Sequence, residues 1–157
     1  MAATFSSLLR REHVFTDVPP VERDEVFRLV LDRLVAAGVL SEEASTTVLR
    51  GILKRERTGT TGIGHGIAIP HCKTAAVSGT LVALARPLEA IAYGAADGDP
   101  VHSLFLVVSS PEESEAHVSI LRSVAKIARD DYASRVLRNT REAGSLFELI
   151  HELDGRP

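Results

Sequence analysis

Apolar positions recur along this chain at two spacings, and the change of spacing divides it into regions. After Pro19-Pro20, the stretch VERDEVFRLVLDRLVAAGVL carries Val26, Leu29, Val30, Arg33 and Leu34 at helical spacing, and Gly38 offers a C-terminal stop. Ser41 suits the N-cap of a second helix, with Glu42 and Glu43 at the positive end of its dipole. That helix is predicted to run to about Glu56, and a loop rich in Thr and Gly follows it.

Three β-like segments come next: 66–70, then GTLVALARPL from Gly79, then VHSLFLVV from Val101. The last shows little alternation, which predicts a central strand with both faces covered by helices. The stretch EAIAYGAADGDP between them reads as loop. From about Ser114 the pattern is helical again, through HVSILRSVAKIARD, YASRVLRN and SLFELIHEL. A helix pair, then strands, then helices predict an α/β layered domain with helices packed on a central sheet.

Composition narrows the class. A chain of 157 residues with 45% hydrophobic content has the size of one domain, 1–157, and can bury a core without disulfide or metal staples. A formal charge of −3 and a pI near 6.1 give no electrostatic footprint for nucleic acid. No run approaches the roughly 18 apolar residues that cross a bilayer, and MAATFSSLLRREH has no long apolar core like that of a signal peptide. Cys72 is the one cysteine, which excludes an internal disulfide and suits a reducing compartment. The expected location is cytoplasmic, with no membrane insertion.

The stretch TTGIGHGIAIPHCK, 60–73, carries the candidate chemistry and contains no acid. Gly62, Gly64 and Gly66 permit backbone angles that side chains forbid, and Pro70 fixes its own φ and drives Ile69 towards extended geometry. Together they predict a loop leading into a strand that ends with His71 held in a set direction. A histidine near neutral pH can keep one nitrogen unprotonated and nucleophilic while a hydrogen bond orients the other, which suits covalent capture of a group. On residues alone, a half-exposed histidine at a strand end is an equal alternative.

Partners strengthen the constellation. At 100° per residue, the 41–56 helix places Ala44, Val48, Ile52 and Arg55 on one stripe and Arg57 on the opposite face. Arg55 sits at the last turn, where its guanidinium could hold phosphate oxygens bidentately or simply complement the helix C-terminus. His117 shares a helical face with Ile120, Leu121, Val124 and Ala128, in the first turn after the strand ending near Ser109. Sites in α/β sheets gather outside the carboxyl ends of strands. A core histidine satisfied by a carbonyl is the alternative for His117.

GIGHGIAIPH with the upstream KRER resembles the signature of enzyme IIA domains of the fructose/mannitol class of the bacterial phosphoenolpyruvate phosphotransferase system. It is most similar to the free-standing nitrogen branch, typically written TGIGNGIAIPHGK. The resemblance implies a mixed five-stranded central sheet flanked by helices on both sides, with a core of about 5–153. It implies that His71 accepts a phosphoryl group from the phosphohistidine of HPr or an HPr-like carrier. Arg55 would then supply positive charge, and His117 would donate a hydrogen bond to the phosphoryl group or steer the His71 ring. Backbone N–H groups around Gly64, His65 and Gly66 are expected as further donors. Neither a metal nor a cofactor is required. The expected partners are the carrier and, downstream, a IIB domain or regulated target proteins. No IIB or membrane sequence accompanies the motif here, which favours a regulatory output over sugar uptake.

Two positions depart from that pattern. His65 stands where the nitrogen branch usually has asparagine, so it either replaces one loop donor by another or adds a titrating charge beside the site. Cys72 replaces the usual glycine, and with only Lys73 nearby to lower its pKa it is expected to be a packing residue. A metal site from His65, His71, Cys72 and His117 matches no standard zinc spacing and lacks carboxylates. G-x-G-x-G is neither the dinucleotide fingerprint nor a P-loop. A rival of different class is a purely regulatory binding module, in which phosphorylation of His71 adds up to about two negative charges and toggles docking.

Overall fold

The computed structural model describes residues 2–155. Its first half contains α1 (Phe5–Leu8), β1 (Val14–Val18), α2 (Arg23–Ala36), α3 (Glu42–Arg57), β2 (Gly62–Gly64), β3 (Ile67–Ala68) and β4 (His71–Lys73). Then follow β5 (Thr80–Pro87), β6 (Ser103–Ser109), α4 (Ser114–Ala128), α5 (Asp131–Asn139) and α6 (Ala143–Asp154). Ser41 caps α3 as its sequence predicts, its hydroxyl accepting from the Ala44 N–H at 3.0 Å. The buried stripe of α2 is Val26, Phe27, Val30, Leu31 and Leu34. It is turned slightly from the predicted one: Leu29 is half-buried, and Arg33 reaches outward to Asp17 while covering the Phe15 ring.

The sheet is mixed, in the order β1-β5-β6-β3-β2, with β4 also on β6. β5 runs antiparallel to β6, whereas β3 and β4 run parallel to it. Ile67 pairs with Ser103 and Ala68 with Leu104; beyond the break, His71 pairs with Val107 and Cys72 with Val108. The register is therefore the same on both sides of Ile69-Pro70. β3 and β4 are one line of chain interrupted by a proline, and six segments occupy five positions. Pro70 has no N–H to give the ladder, but its carbonyl accepts from the Val107 N–H at 3.0 Å. The Ile69 N–H turns the other way, to the Thr61 carbonyl at 2.9 Å.

Two local expectations change. His71 opens β4 instead of closing a strand, because the Pro70 interruption falls before it. The glycine run is not a loop throughout: Gly62–Gly64 forms β2 and pairs antiparallel with β3. The turn between them is tight, with φ of 97°, 59° and 78° at Gly64, His65 and Gly66. Side chains resist that left-handed region, so glycine at two of the three places is a backbone requirement.

All seven residues of β6 are buried, as its unbroken apolar run predicts. Leu104, Leu106 and Val108 pack with Val26, Val30, Val48 and Ile52 of α2 and α3. Phe105 and Val107 point to the other face, against Ile120, Val124, Leu137 and Ile150. The segment EAIAYGAADGDP is irregular as expected, yet Ile91 bridges to Val101, and both Ile91 and Tyr93 are buried. Among the described residues, no helix is long and apolar enough to cross a membrane.

Candidate functional site

Parallel pairing of β4 with the end of β6 sets His71 and Lys73 beside Val107 and Ser109, and α4 rises directly after that edge. The His71 ring is partly exposed, and its Nδ1 lies 2.7 Å from the Ile69 carbonyl oxygen. A carbonyl only accepts, so Nδ1 holds the proton and Nε2 carries the lone pair whenever the ring is neutral. The pKa of His71 is lowered, first by burial and also by the Arg55 guanidinium, against the opposing Ile69 bond and Glu56 charge.

His117 is buried in the first turn of α4 on the same stripe as Ile120 and Val124. Its Nδ1 lies 2.8 Å from the Ser109 hydroxyl, which is 3.0 Å from that of Thr80. Burial, with the positive charge of a protonated His71 and of Lys73 behind it, pushes its pKa down to about 4. The two rings stand 5.5 Å apart between centroids. Both are neutral at pH 7.

Arg55 is half-buried and Arg57 exposed, as the helical stripe requires. One guanidinium nitrogen of Arg55 donates to the Thr58 hydroxyl at 3.0 Å and to the Gly59 carbonyl at 2.8 Å. The helix end is thereby closed by its own arginine, whose charge is felt at His71. His71, His117 and Arg55 thus form one neighbourhood.

Gly64, His65 and Gly66 do not belong to it. At about 3.3 Å per residue, the hairpin turn lies on the order of 16 Å from His71 along the strand line. The His65 N–H donates to Asp97 at 3.1 Å, and its carbonyl accepts from the Ser134 hydroxyl at 2.5 Å. Its ring faces Asp131 at 4.0 Å. Gly66 packs so closely on the His102 ring that a Cβ there would collide with it. The turn is committed to α5 and the 95–102 segment, and so is not a donor loop around His71. For the same reason His65 adds no charge beside His71. Cys72, adjacent in sequence, points to the α3 face with its thiol towards the Val48 carbonyl, and burial pushes its pKa up to about 11. The four side chains weighed as a metal set therefore do not gather, and no metal-ligating cluster exists among the described residues.

Glu56 went unnoticed in the sequence. It is buried, and its carboxylate accepts from the Thr61 N–H at 3.1 Å, the Tyr93 hydroxyl at 2.9 Å and the Thr61 hydroxyl. Arg23 adds its charge at 3.8 Å. This network ties the end of α3, next to Arg55, to Thr61 just before β2, whose carbonyl accepts from the Ile69 N–H of the strand line that carries His71. A signal was present: Val48, Ile52 and Glu56 follow one another at i, i+4, which puts an acid on an apolar stripe.

Residues 7–153 match the family model described as "Phosphoenolpyruvate-dependent sugar phosphotransferase system, EIIA 2". The chain is 34% identical to the nitrogen regulatory protein of Escherichia coli K12, over 97% of this chain and 92% of that one. It is 33% identical to the fructose-specific EIIA component of Haloferax volcanii, over 84% of this chain and 85% of that protein. The crystal structure of the nitrogen regulatory protein IIA-Ntr from Neisseria meningitidis has the same fold, with a TM-score of 0.78 at 22% identity, covering 92% of this chain and 97% of the other.

Proposed function

The chain belongs to the EIIA 2 family of the phosphoenolpyruvate-dependent sugar phosphotransferase system, and on that premise we propose that it is a histidine phosphocarrier whose acceptor atom is Nε2 of His71. Its donor is phosphorylated HPr or an HPr-like carrier. Its output is regulatory, as a single IIA domain working in the cytoplasm. The observation that carries this reading is the 2.7 Å bond from Nδ1 of His71 to the Ile69 carbonyl, which leaves the other nitrogen as the nucleophile.

The Nε2 lone pair attacks phosphorus of the donor's phosphohistidine as the donor's P–N bond breaks, and that electron pair returns to the donor imidazole. The new N–P bond leaves positive charge on the His71 ring, which the Ile69 carbonyl offsets by accepting from Nδ1–H. Negative charge sits on the equatorial oxygens in transit, so the surroundings contribute position and electrostatics. Arg55 supplies the charge. With the Ser109 hydroxyl donating to Nδ1 of His117, the proton of that ring sits on Nε2, which keeps it and donates a hydrogen bond to the phosphoryl oxygens. Ser109 and Thr80 then fix the tautomer of His117, as an orienting partner does for a working imidazole.

The full-length similarity to a nitrogen regulatory protein supports the regulatory output. A sugar-type role, passing the group to a separate IIB domain, is supported by the fructose-specific relative. Incubation with a radiolabelled phospho-carrier is expected to label the wild type at one base-stable, acid-labile phosphate per chain and to leave His71→Ala unlabelled. Full labelling of that variant removes the assignment. Affinity capture with wild type, His71→Ala and His71→Glu then separates the outputs. A partner held by one charge state only supports regulation, whereas discharge of the label onto added IIB supports sugar transfer.

A further inference from the structure

At the hairpin end of the sheet, away from His71, a cavity of about 510 Å³ opens between the turn at Gly66, the end of β5 and the C-terminal end of α5. Arg86, Arg138 and Arg141 line it. Among the described residues, none of the three forms an ion pair. The hydrogen bonds of Arg86 go to the carbonyls of Pro87, His102 and Arg138, and that of Arg141 to the Leu88 carbonyl. Carbonyls satisfy donors but leave the net charges uncancelled.

Burial sharpens the imbalance. Arg86 is 3% exposed, and its Nε has no partner. His102, also 3% exposed, lines the cavity beside it with Nε2 unpartnered. A buried cation with an idle donor is costly unless an anion comes close. The field of Arg141 reaches Arg86, and the fields of Arg86 and Arg138 reach His102, so these groups repel one another across the same space. Glu89 and Asp99 complete the lining but are exposed and pair with none of the arginines.

We propose that this cavity is a binding site for a small oxyanion, a metabolite with a single carboxylate or phosphate head, held by Arg138 and Arg141 at the mouth over Arg86. Arginine forks match the planar geometry of carboxylate and the oxygens of phosphate. The site lies apart from His71 and requires no phosphotransfer.

The test is a ¹⁵N NMR titration of the full chain with inorganic phosphate and, in parallel, with acetate, at ionic strength held constant with sodium chloride. Saturable shifts at Gly66, His102, Asn139 and Arg141 with either probe are expected, and the tighter probe identifies the head group. The exposed double variant Arg138→Gln/Arg141→Gln is expected to weaken that binding about tenfold or more, since each lost charge-assisted bond is worth roughly such a factor. Three results overturn the proposal. They are no saturable shift with either probe, shifts confined to the surroundings of Arg55, His71 and His117, and unaltered affinity in the folded double variant.

Discussion

The rings of His71 and His117 face each other at 5.5 Å between centroids, inclined by 58°, and each is turned by a different partner. The Ile69 carbonyl holds one and the Ser109 hydroxyl the other. Among the described residues neither ring has a carboxylate within ion-pair distance, and burial outweighs the Ile69 bond and the more distant Glu56 charge that favour a charged His71. A cation on one opposes a cation on the other.

Loss of the second ring is expected to slow phosphoryl acceptance while leaving the acceptor atom in place. His117→Ala should reduce the rate by about 100- to 1,000-fold, the range for one positioned donor. Rapid-quench labelling from a phospho-carrier measures it, and circular dichroism checks the fold. His117→Gln, which keeps an N–H, should recover part of the loss. Full-speed transfer in the alanine variant would remove the proposed role.

Arg55 makes a different contribution, and substitution should separate charge from shape. Arg55→Ala is expected to slow acceptance by about 100-fold. Arg55→Lys should lie between the two, because it keeps the charge but loses the planar fork. Thr58 and Gly59 hold the guanidinium at the helix end. The same kinetic assay decides, and equal rates for all three proteins would count against electrostatic support from this position.

Acceptance should depend on pH through His71, since only the neutral ring has a free lone pair. Burial first, and Arg55 also, hold its pKa below the ordinary value of about 6.5. The rate should therefore be flat through neutrality and fall only in acid, with a midpoint under about 6.5. A midpoint above that value, for transfer from a donor whose own titration is known, contradicts the environment described.

Stability should decline over the same acid range for a separate reason. His102 and His117 have folded pKa values of about 4, both from burial first. In the unfolded chain they titrate near 6.5. Above that pH both states hold them neutral and the term is constant. As pH falls from about 6.5 towards 4, the unfolded chain takes up protons that the folded chain refuses, so stability is lost. At ~1.4 kcal/mol per unit the two together amount to several kcal/mol. Urea unfolding at pH 7.5 and pH 4.5 measures the fall, and His117→Gln should flatten part of it.

Much of the site was legible because its members lie on regular elements. Helical spacing separated Arg55 from Arg57 and turned His117 inward, and both hold in the folded chain. The hydrophobic run at 103–109 announced a strand covered on two faces. The glycine turn misled for a physical reason. A strand carries its residues apart at about 3.3 Å each, so the turn and His71, neighbours in the sequence GIGHGIAIPH, lie towards opposite ends of one strand line. The i, i+4 spacing marks Glu56 as an acid on an apolar stripe, but its partners Thr61 and Tyr93 were not legible, since Tyr93 comes from a stretch that reads as plain loop.

The sequence by itself determined the local conformations: which helical faces are apolar, where proline interrupts a strand, and where glycine permits a reversed turn. These depend on the φ and ψ freedom of each residue and on side-chain spacing, which act over a few residues. Tertiary structure alone decided which polar groups meet. Parallel pairing of β4 with β6 brought His71 to Ser109 and His117, while the hairpin sent Gly66 to His102 and Arg86 at the far end. Burial then set the protonation of those groups, because desolvation depends on everything packed around a side chain rather than on its neighbours in the chain.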